Sequence, residues 1–185
     1  MKGKFTPHPF TMYHIKSLLV TLLLFASGLT LSAQVYSSAV GLRLGYPISA
    51  SYKTFVSETT AIEGYVGFNR PRFQDVGTVS GVGSVSLNLA YQLHNDIAGV
   101  EGLQWYIGAG PGVQFVTFDR DFDIDAQVRF SLSGYGGLQY TLSEVPISFT
   151  LDWVPTFFIG GDRDFEYRNF DMAYGGVGIR YVLGN

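Results

Sequence analysis

Cysteine is absent from this chain of 185 residues. Disulfide bonds, thiolate metal sites and a cysteine nucleophile are therefore excluded. A lipid-modified cysteine is excluded as well, so an anchor of the lipoprotein kind cannot attach this chain to a membrane. Any membrane character of the chain must have another source.

Basic residues are few. The chain contains 12 Lys and Arg against 15 Asp and Glu, and three of the lysines precede Gln34. From Gln34 onward, nine basic residues therefore accompany all 15 acidic ones, which gives a net charge near −6. Domains that bind nucleic acid typically carry a strongly basic face. We expect no nucleic acid among the partners of this protein.

A membrane-spanning helix needs about 20 apolar residues, and no apolar run in this chain is that long. The most apolar run, Leu18–Ala26, follows Lys16 and leads into small residues that end at Ala33. A basic segment, a short apolar segment and small residues are typical of a secretory signal peptide. We expect residues 1–33 to be cleaved off after Ala33, leaving 34–185 as the mature domain. Met12 is an alternative start, because the segment before the apolar run is long when counted from Met1.

Apolar and polar residues alternate along much of the chain. It is clearest at Gln104–Phe115, where Trp105, Ile107, Ala109, Pro111, Val113 and Phe115 fall on one face and Gln104, Tyr106, Gly108, Gly110, Gly112 and Gln114 on the other. This period of two is that of a β-strand with one apolar face. Strands of soluble proteins are typically about 5–6 residues long, and this run is roughly twice that. Its length fits a tilted strand that crosses a bilayer.

The same alternation recurs along the chain. The eight predicted strands are Tyr36–Tyr46, Ser49–Val56, Ile62–Phe68, Gly83–Leu93, Gln104–Phe115, Val128–Tyr140, Ile147–Ile159 and Met172–Leu183. An even number of strands with short and long connections in turn predicts an all-β, eight-stranded, antiparallel, up-and-down transmembrane β-barrel. Pro111 and Pro155 lie inside predicted strands, where each removes a ladder hydrogen bond, and we expect a β-bulge at each.

The connections predict an orientation. Short turns at 57–60, 94–102 and 141–146 are expected at the periplasmic rim together with both termini, and loops at 69–81, 119–127 and 160–171 at the outer rim. The outward aromatic residues then sort into two belts, as at the two interfaces of a bilayer. The lower belt comprises Tyr36, Tyr91, Trp105, Tyr140, Phe149 and Tyr181, and the upper belt Tyr46, Phe68, Phe115, Phe130 and Phe157.

With these features the chain after residue 33 resembles the small eight-stranded outer-membrane barrels, the group similar to OmpA, OmpX and OmpW. In the last strand, Gly178 followed by Tyr181 and Leu183 resembles the assembly signal of that group. The resemblance implies insertion by the barrel-insertion machinery into the outer membrane of a Gram-negative bacterium. Outer-membrane lipids and lipopolysaccharide are the partners that it implies.

Charged residues are predicted on the inward face of several strands: Arg43, Lys53, Glu63, Arg129, Asp152 and Arg180. The interior of an eight-stranded barrel is just wide enough to be filled by side chains. Unpaired charges there would be costly, so we expect a paired network in which Glu63 and Asp152 serve four cations. Such a network either forms a structural plug or lines a narrow path for ions or small solutes, hydrophobic ones included.

Two outer loops begin with the same tetrapeptide, Asp-Arg-Asp-Phe, at Asp119–Phe122 and Asp162–Phe165. The loop charges are Asp119, Arg120, Asp121, Asp123, Asp125, Asp162, Arg163 and Asp164. The aspartates do not make a calcium-binding hand, because such a loop needs Gly at position 6 and Glu at position 12, where this chain has Ile124 and Phe130. The alternatives are a solvated acidic rim, and a rim that bridges lipopolysaccharide through divalent cations or binds an extracellular ligand or protein.

Catalytic parts are missing. Acyl hydrolases need a histidine paired with a serine, but His94 is the one histidine after residue 33 and falls in a predicted periplasmic turn. Gly108–Gly112 lacks the spacing and the following helix of a phosphate loop. We expect no enzyme, no cofactor and no metal site, and a structural or surface-interaction role through the loops at 69–80, 119–127 and 160–171. The alternatives are the solute path, a soluble barrel that binds lipid in an apolar lumen and, last, an outer-membrane lipid-modifying enzyme.

Overall fold

The computed structural model describes residues 37–70, 72–73, 77–78, 82–118, 126–160 and 169–184. Residues 1–33 lie outside these ranges, so the signal peptide stays a prediction. Among the described residues, no helix is long and apolar enough to cross a bilayer.

Regular structure within the described ranges is entirely β. The strands are β1 (Ser38–Tyr46), β2 (Ile48–Phe55), β3 (Thr60–Asn69), β4 (Arg72–Phe73), β5 (Gly77–Thr78), β6 (Val82–Asp96), β7 (Leu103–Phe118), β8 (Gln127–Thr141), β9 (Ile147–Trp153), β10 (Thr156–Ile159), β11 (Phe170–Asp171) and β12 (Gly175–Gly184). Each strand pairs antiparallel with its neighbour in the order β1, β2, β3, β6, β7, β8, β9, β12, and β12 returns to β1. Because β10 continues the line of β9, the barrel is closed and has eight strands, as the sequence predicts.

The two faces of the wall differ sharply in chemistry. Large apolar side chains point outward and are exposed, among them Leu44 at 65% and Phe130 at 62%, whereas Lys53 and Glu63 point inward and are completely buried. This inside-out distribution confirms the predicted facing of the strands and is that of a wall that meets lipid. A soluble barrel with an apolar lumen is thereby excluded, because the lumen holds the polar face.

One predicted turn is too long. β6 continues to Asp96 and β7 begins at Leu103, so the turn is 97–102 and not 94–102. His94 therefore lies in a strand, with its side chain buried in the lumen. The pairing continues because Asn95 and Asp96 still find partners on β7, and the chain reverses only at Gly99 and Gly102, whose φ angles are +89° and +77°.

The outer connections also differ from the prediction. Asn69 belongs to β3, and the loop after it contains the short hairpin of β4 and β5. The loop predicted at 160–171 contains β11, which pairs with β10. The short turns nevertheless lie at the predicted rim. The compact turns 56–59, 97–102 and 142–146 are all found where β1 begins and β12 ends.

The bulge predicted at Pro111 is wrong. The register of β7 with both neighbours is the same before and after Pro111, and the ladder to β6 is merely interrupted opposite Leu89 and Ala90. Because Pro111 has no backbone N–H, one ladder hydrogen bond is lost at this position, but the strand is not displaced.

Pro155 has a different effect, because it divides the predicted seventh strand into β9 and β10. The register with β8 is kept, since Gly136 pairs with Trp153 and Ser133 with Thr156. The extra residue lies on the other side, in the segment 172–174 between β11 and β12, so the strand predicted from Met172 begins only at Gly175.

Most predicted belt residues lie on the outer surface. Tyr91, Tyr140, Phe149, Tyr181, Phe68, Phe115, Phe130 and Phe157 are exposed, and Trp105 is half-buried. Tyr36 lies outside the described residues. The prediction that Tyr46 belongs to the upper belt is wrong. β1 ends at this residue, the alternation stops, and the half-buried ring packs edge-on against Tyr174 at 4.9 Å between centroids.

Candidate functional site in the barrel lumen

Six strands each contribute one of the predicted interior charges. Arg43 is on β1, Lys53 on β2, Glu63 on β3, Arg129 on β8, Asp152 on β9 and Arg180 on β12, and all six side chains are buried. Five of them, namely Arg43, Lys53, Glu63, Asp152 and Arg180, form one group that we call the central charge network. Arg129 lies apart from this group.

Glu63 is the centre of the network. Its Oε1 accepts hydrogen bonds from Nε and Nη2 of Arg180 at 2.9 and 2.6 Å. Its Oε2 accepts from the hydroxyl of Tyr65 at 2.7 Å and from Nε2 of Gln92 at 3.1 Å, and lies 3.9 Å from Nζ of Lys53. Both carboxylate oxygens are thus engaged by two cations and two neutral donors, which is the condition for burying such a charge.

Asp152 makes a second, looser pair. Its Oδ1 lies 3.4 Å from Nη1 of Arg43, and its Oδ2 accepts from the hydroxyl of Tyr106 at 3.1 Å. Arg43 has other contacts, since its Nε donates to Oγ of Ser49 at 3.2 Å and its guanidinium lies 4.7 Å from the centre of the Tyr65 ring. Arg43 therefore depends less on its carboxylate than Arg180 does.

The network has three cations and two carboxylates, and Lys53 is the cation with the weakest ion pair. Its Nζ donates to Oε1 of Gln139 at 3.0 Å and lies 4.9 Å from the centre of the Tyr106 ring. An amide oxygen and an aromatic face both attract an ammonium group. These two neutral partners add to the attraction of Glu63, whose carboxylate is 3.9 Å from the ammonium group.

Arg129 belongs to a second polar group, nearer the rim of the long loops. Its Nη1 contacts Oε1 of Gln114 at 3.5 Å, and its guanidinium lies 4.2 Å from the centre of the Phe158 ring. Nε2 of Gln114 donates in turn to Oγ of Ser84 at 3.0 Å and to Oδ1 of Asn69 at 3.2 Å. Among the described contacts, Arg129 therefore belongs to this other group, whereas Glu63 and Asp152 pair with Arg43, Lys53 and Arg180.

His94 is a lumen residue that the sequence did not indicate. Its ring stacks on Tyr106 at 4.9 Å between centroids and meets Phe55 edge-on at 5.0 Å, while Nε2 contacts Oε1 of Gln92 at 3.2 Å. The continued alternation Gln92, His94, Asp96 was the available signal. It was obscured because His-Asn-Asp also has the composition of a turn.

Inward glycines do not leave the lumen open. A Cβ at Gly41 would overlap the side chain of Arg180, and one at Gly137 would lie 2.8 Å from the Tyr106 ring. In both cases a large neighbouring side chain occupies the space that the glycine leaves free. The glycines thus allow the network and its tyrosines to fill the cross-section of the barrel.

Apolar side chains cover both sides of the polar region. Toward the rim of the short turns, Ala39, Phe55, Ala61 and Val182 form one buried cluster. Toward the other rim, Tyr65, Ala90, Tyr106, Tyr135, Val154, Phe158 and Tyr174 form a second one, which we call the aromatic cluster. The central charge network touches both clusters, since Lys53 lies over the Phe55 ring and Tyr65 and Tyr106 donate to Glu63 and Asp152. Arg129 lies against the second cluster, over the Phe158 ring.

The remaining predicted residues lie in two places. All eight loop charges, from Asp119 to Asp125 and from Asp162 to Asp164, fall outside the described residues. In β12, Gly178 is buried toward the lumen, and Tyr181 and Leu183 are exposed on the outer face. No group of three His, Cys, Asp or Glu side chains among the described residues could hold a metal ion.

No protein-family model matches the chain, and no curated protein sequence matches it either. The N-terminal β-barrel domain of Pseudomonas aeruginosa OprF is similar in structure, with a TM-score of 0.53 and 18% identity over 78% of this chain and 93% of that domain. Neisserial surface protein A (NspA) aligns with a TM-score of 0.49 and 12% identity over 79% of this chain and 93% of that protein. The likeness to OprF confirms, at the level of the fold, the resemblance to the small eight-stranded outer-membrane barrels.

Proposed function

We propose that this protein is an integral outer-membrane barrel with a closed lumen, which acts structurally or through its extracellular loops. The observation that supports a closed lumen best is its filling by side chains. Lys53, Glu63, Gln92 and Gln139 are completely buried; Lys53 and Gln92 contact Glu63 from the neighbouring strands, and Lys53 reaches across the interior to Gln139 on β8. A path for ions would require several of these contacts to break at once.

The proposed location is the outer membrane of a Gram-negative bacterium, reached by export with residues 1–33 as a cleaved signal. The apolar outer surface supports insertion into a bilayer. We propose that Gly178, Tyr181 and Leu183 are read by the insertion machinery, since the two apolar side chains lie on the outer face where another protein could contact them. Outer-membrane lipids and lipopolysaccharide would then surround the wall.

The proposed site of interaction is the rim of the loops at 69–80, 119–127 and 160–171. The acidic composition of the latter two supports contact with lipopolysaccharide through divalent cations, or with an extracellular ligand or protein. We propose neither an enzymatic activity nor a nucleic acid partner. The position of His94 supports this, because its ring is enclosed in the lumen between Tyr106 and Phe55.

Labelling of intact cells tests the location and the orientation together. Ala126 is exposed beside a long loop, and Val145 is exposed in a short turn at the opposite rim. The chain has no cysteine, so Ala126→Cys and Val145→Cys each introduce a single thiol. We expect a membrane-impermeant maleimide to label A126C in intact cells, and V145C only after the cells are opened. Labelling of V145C alone in intact cells would invert the proposed orientation.

Conductance across a planar bilayer tests the closed lumen. We expect no resolved current steps from the wild-type protein after insertion, which is checked by a band whose mobility on an SDS gel shifts on heating. A variant with Phe55→Ala and Arg180→Ala removes one side chain from the apolar layer and one from the network, and serves as the control that an opened barrel is detectable. Current steps from the wild type that change in ion selectivity with Lys53→Met would contradict the proposal and favour the solute path.

A further inference from the structure

A groove lies in the outer wall of the barrel, where the first and last strands meet. It crosses β1, β12 and β9, and its volume is about 450 Å³. The side chains that line it are apolar and face outward: Val40, Leu42, Ile147, Ile179 and Tyr181. Gly41 and Arg180 alternate with these residues and face the lumen, so they form the floor of the groove with their backbone. We call this feature the seam groove.

The seam groove lies in the half of the wall nearer the short turns. Val40, Tyr181 and Ile147 lie side by side on adjacent strands and form the row of lining residues closest to the rim. Ile147 begins β9 directly after the turn 142–146, and Val40 is near the start of β1. Anything bound in the groove is therefore close to the membrane surface on this side.

The size of the seam groove indicates what can occupy it. Three adjacent strands with a spacing of about 4.8 Å make it roughly 10 Å wide, whereas a stable protein interface buries about 800 Å² on each partner. An acyl chain fits better in size and chemistry, since the lining is apolar and the surrounding wall meets lipid. A chain packed in the groove gains van der Waals contacts on several sides, which a smooth wall does not offer.

The short turns next to the seam groove are acidic. Glu58, Glu101 and Glu144 are exposed, one in each of the turns 56–59, 97–102 and 142–146, and these three turns contain no Lys, Arg or His. Anionic lipids are attracted by clustered Lys and Arg near the membrane surface, and the turns carry the opposite charge. A headgroup with an ammonium group is therefore the complementary one.

Glu144 is the carboxylate next to the seam groove. It precedes the lining residue Ile147 by three positions, so the two Cα atoms are at most about 11 Å apart. The turn that carries it is fastened to β12, because the N–H of Val182 donates to the oxygen of Pro146 at 2.9 Å. A headgroup at the end of the groove would therefore lie beside Glu144.

We propose that the seam groove binds an acyl chain of one phospholipid with an ammonium headgroup, such as phosphatidylethanolamine, from the leaflet nearer the short turns. The chain lies between Val40 and Ile179, and the carboxylate of Glu144 attracts the ammonium group. The inference rests on the proposed insertion of the wall into a bilayer and adds to it a specific lipid site. The heat-shifted band reports insertion separately, so failure of the site is distinguishable from failure of the barrel.

Native mass spectrometry tests the seam groove. The full chain is refolded in vesicles, checked for the heat-shifted band, and extracted into detergent with equal amounts of phosphatidylethanolamine and phosphatidylglycerol of the same acyl chains. We expect one bound lipid per barrel, with phosphatidylethanolamine preferred by about two- to fivefold.

Val40→Trp fills the groove, and Val66→Trp is its matched control, because both valines are 40% exposed and Val66 is on β3, away from the seam. The fraction of protein that carries lipid should fall by about three- to tenfold in V40W and stay unchanged in V66W. Ile147→Trp replaces V40W if the latter does not give the heat-shifted band. Wild-type protein without bound lipid, or an equal loss in V40W and V66W, would overturn the site. A dimer mass that V40W abolishes would identify a second copy as the occupant and would also overturn it.

The headgroup has its own test. Glu144→Gln removes the carboxylate beside the groove and should abolish the preference for phosphatidylethanolamine while one lipid stays bound. Glu101→Gln makes the same change in the turn 97–102 and should leave the preference as it is in the wild type. Equal effects of the two substitutions, or no effect of Glu144→Gln, would overturn the recognition of the ammonium group by Glu144.

Discussion

Replacing Glu63 by Gln tests how much the central charge network contributes to stability. The substitution keeps the volume of the side chain but removes the charge that accepts two hydrogen bonds from Arg180, at 2.9 and 2.6 Å, and lies 3.9 Å from Lys53. A hydrogen bond to a charged group contributes about 1.5–3 kcal/mol, and two buried cations lose their shared carboxylate. We expect the free energy of unfolding to fall by about 3–5 kcal/mol, the range found when one partner of a buried ion pair is removed.

Asp152→Asn should have a smaller effect. Arg43 lies 3.4 Å from this carboxylate and keeps its bond to Ser49 and its place over the Tyr65 ring when the charge is lost. We expect a loss of about 1–3 kcal/mol, close to the cost of leaving one buried partner unsatisfied. Glu63→Gln should therefore be the more destabilising of the two substitutions.

Urea unfolding of the protein refolded in lipid vesicles measures both changes, with tryptophan fluorescence and the heat-shifted band as independent probes. Asp96→Asn is the matched control, because Asp96 is an exposed carboxylate at the short-turn rim and contacts Gln104. Its removal should change the free energy of unfolding by less than about 0.5 kcal/mol. A loss below about 1 kcal/mol for Glu63→Gln, or a larger loss for Asp152→Asn, would refute the view that Glu63 organises the lumen.

Three further outcomes are expected. Gly137→Ala should destabilise the barrel by about 1–3 kcal/mol, because the new Cβ would lie 2.8 Å from the ring of Tyr106, whereas Gly136→Ala, with no atom within 4 Å, should be neutral or slightly stabilising in the same urea titration. Leu42→Arg should cost about 2–4 kcal/mol in vesicles if the outer wall faces lipid; a neutral result would contradict that facing. The mass of the protein purified from outer membranes should correspond to a chain that begins after Ala33, and a mass that includes residues 1–33 would contradict the proposed cleavage.

The facing of the strands could be predicted because a two-residue period has only two phases. In β8, Val128 and Phe130 alternate with Arg129 and Ser131, so a lipid-facing side and a polar side are recognisable from residue types alone. The same reasoning placed the predicted interior charges on one face of each strand. It needs no knowledge of which strands lie opposite each other across the lumen.

The partners of those charges could not be predicted, because the two-residue period does not show which strands lie opposite each other across the lumen. Glu63 on β3 bonds Arg180 on β12, which approaches from another wall, and the meeting depends on strand tilt and stagger. The position of the bulge was equally hidden: Pro155 indicated a missing bond, but nothing in the residue types of 172–174 shows that the extra residue lies there. Sequence patterns report local preference, while these features follow from how separate strands align.

The pairing of β1 with β12 has a consequence for the folding kinetics. Ser38 lies beside Gly184, so the contact that closes the barrel joins the two ends of the domain. We expect this contact to form late, because closing the longest loop costs the most chain entropy. Until then every intermediate has two strand edges with unpaired backbone groups, which invite association with other chains. The bond between Glu63 and Arg180 also requires β12 to be in place. The chain therefore has to be kept from aggregating until β12 pairs with β1, and the buried ion pair of Glu63 and Arg180 forms only when the barrel closes.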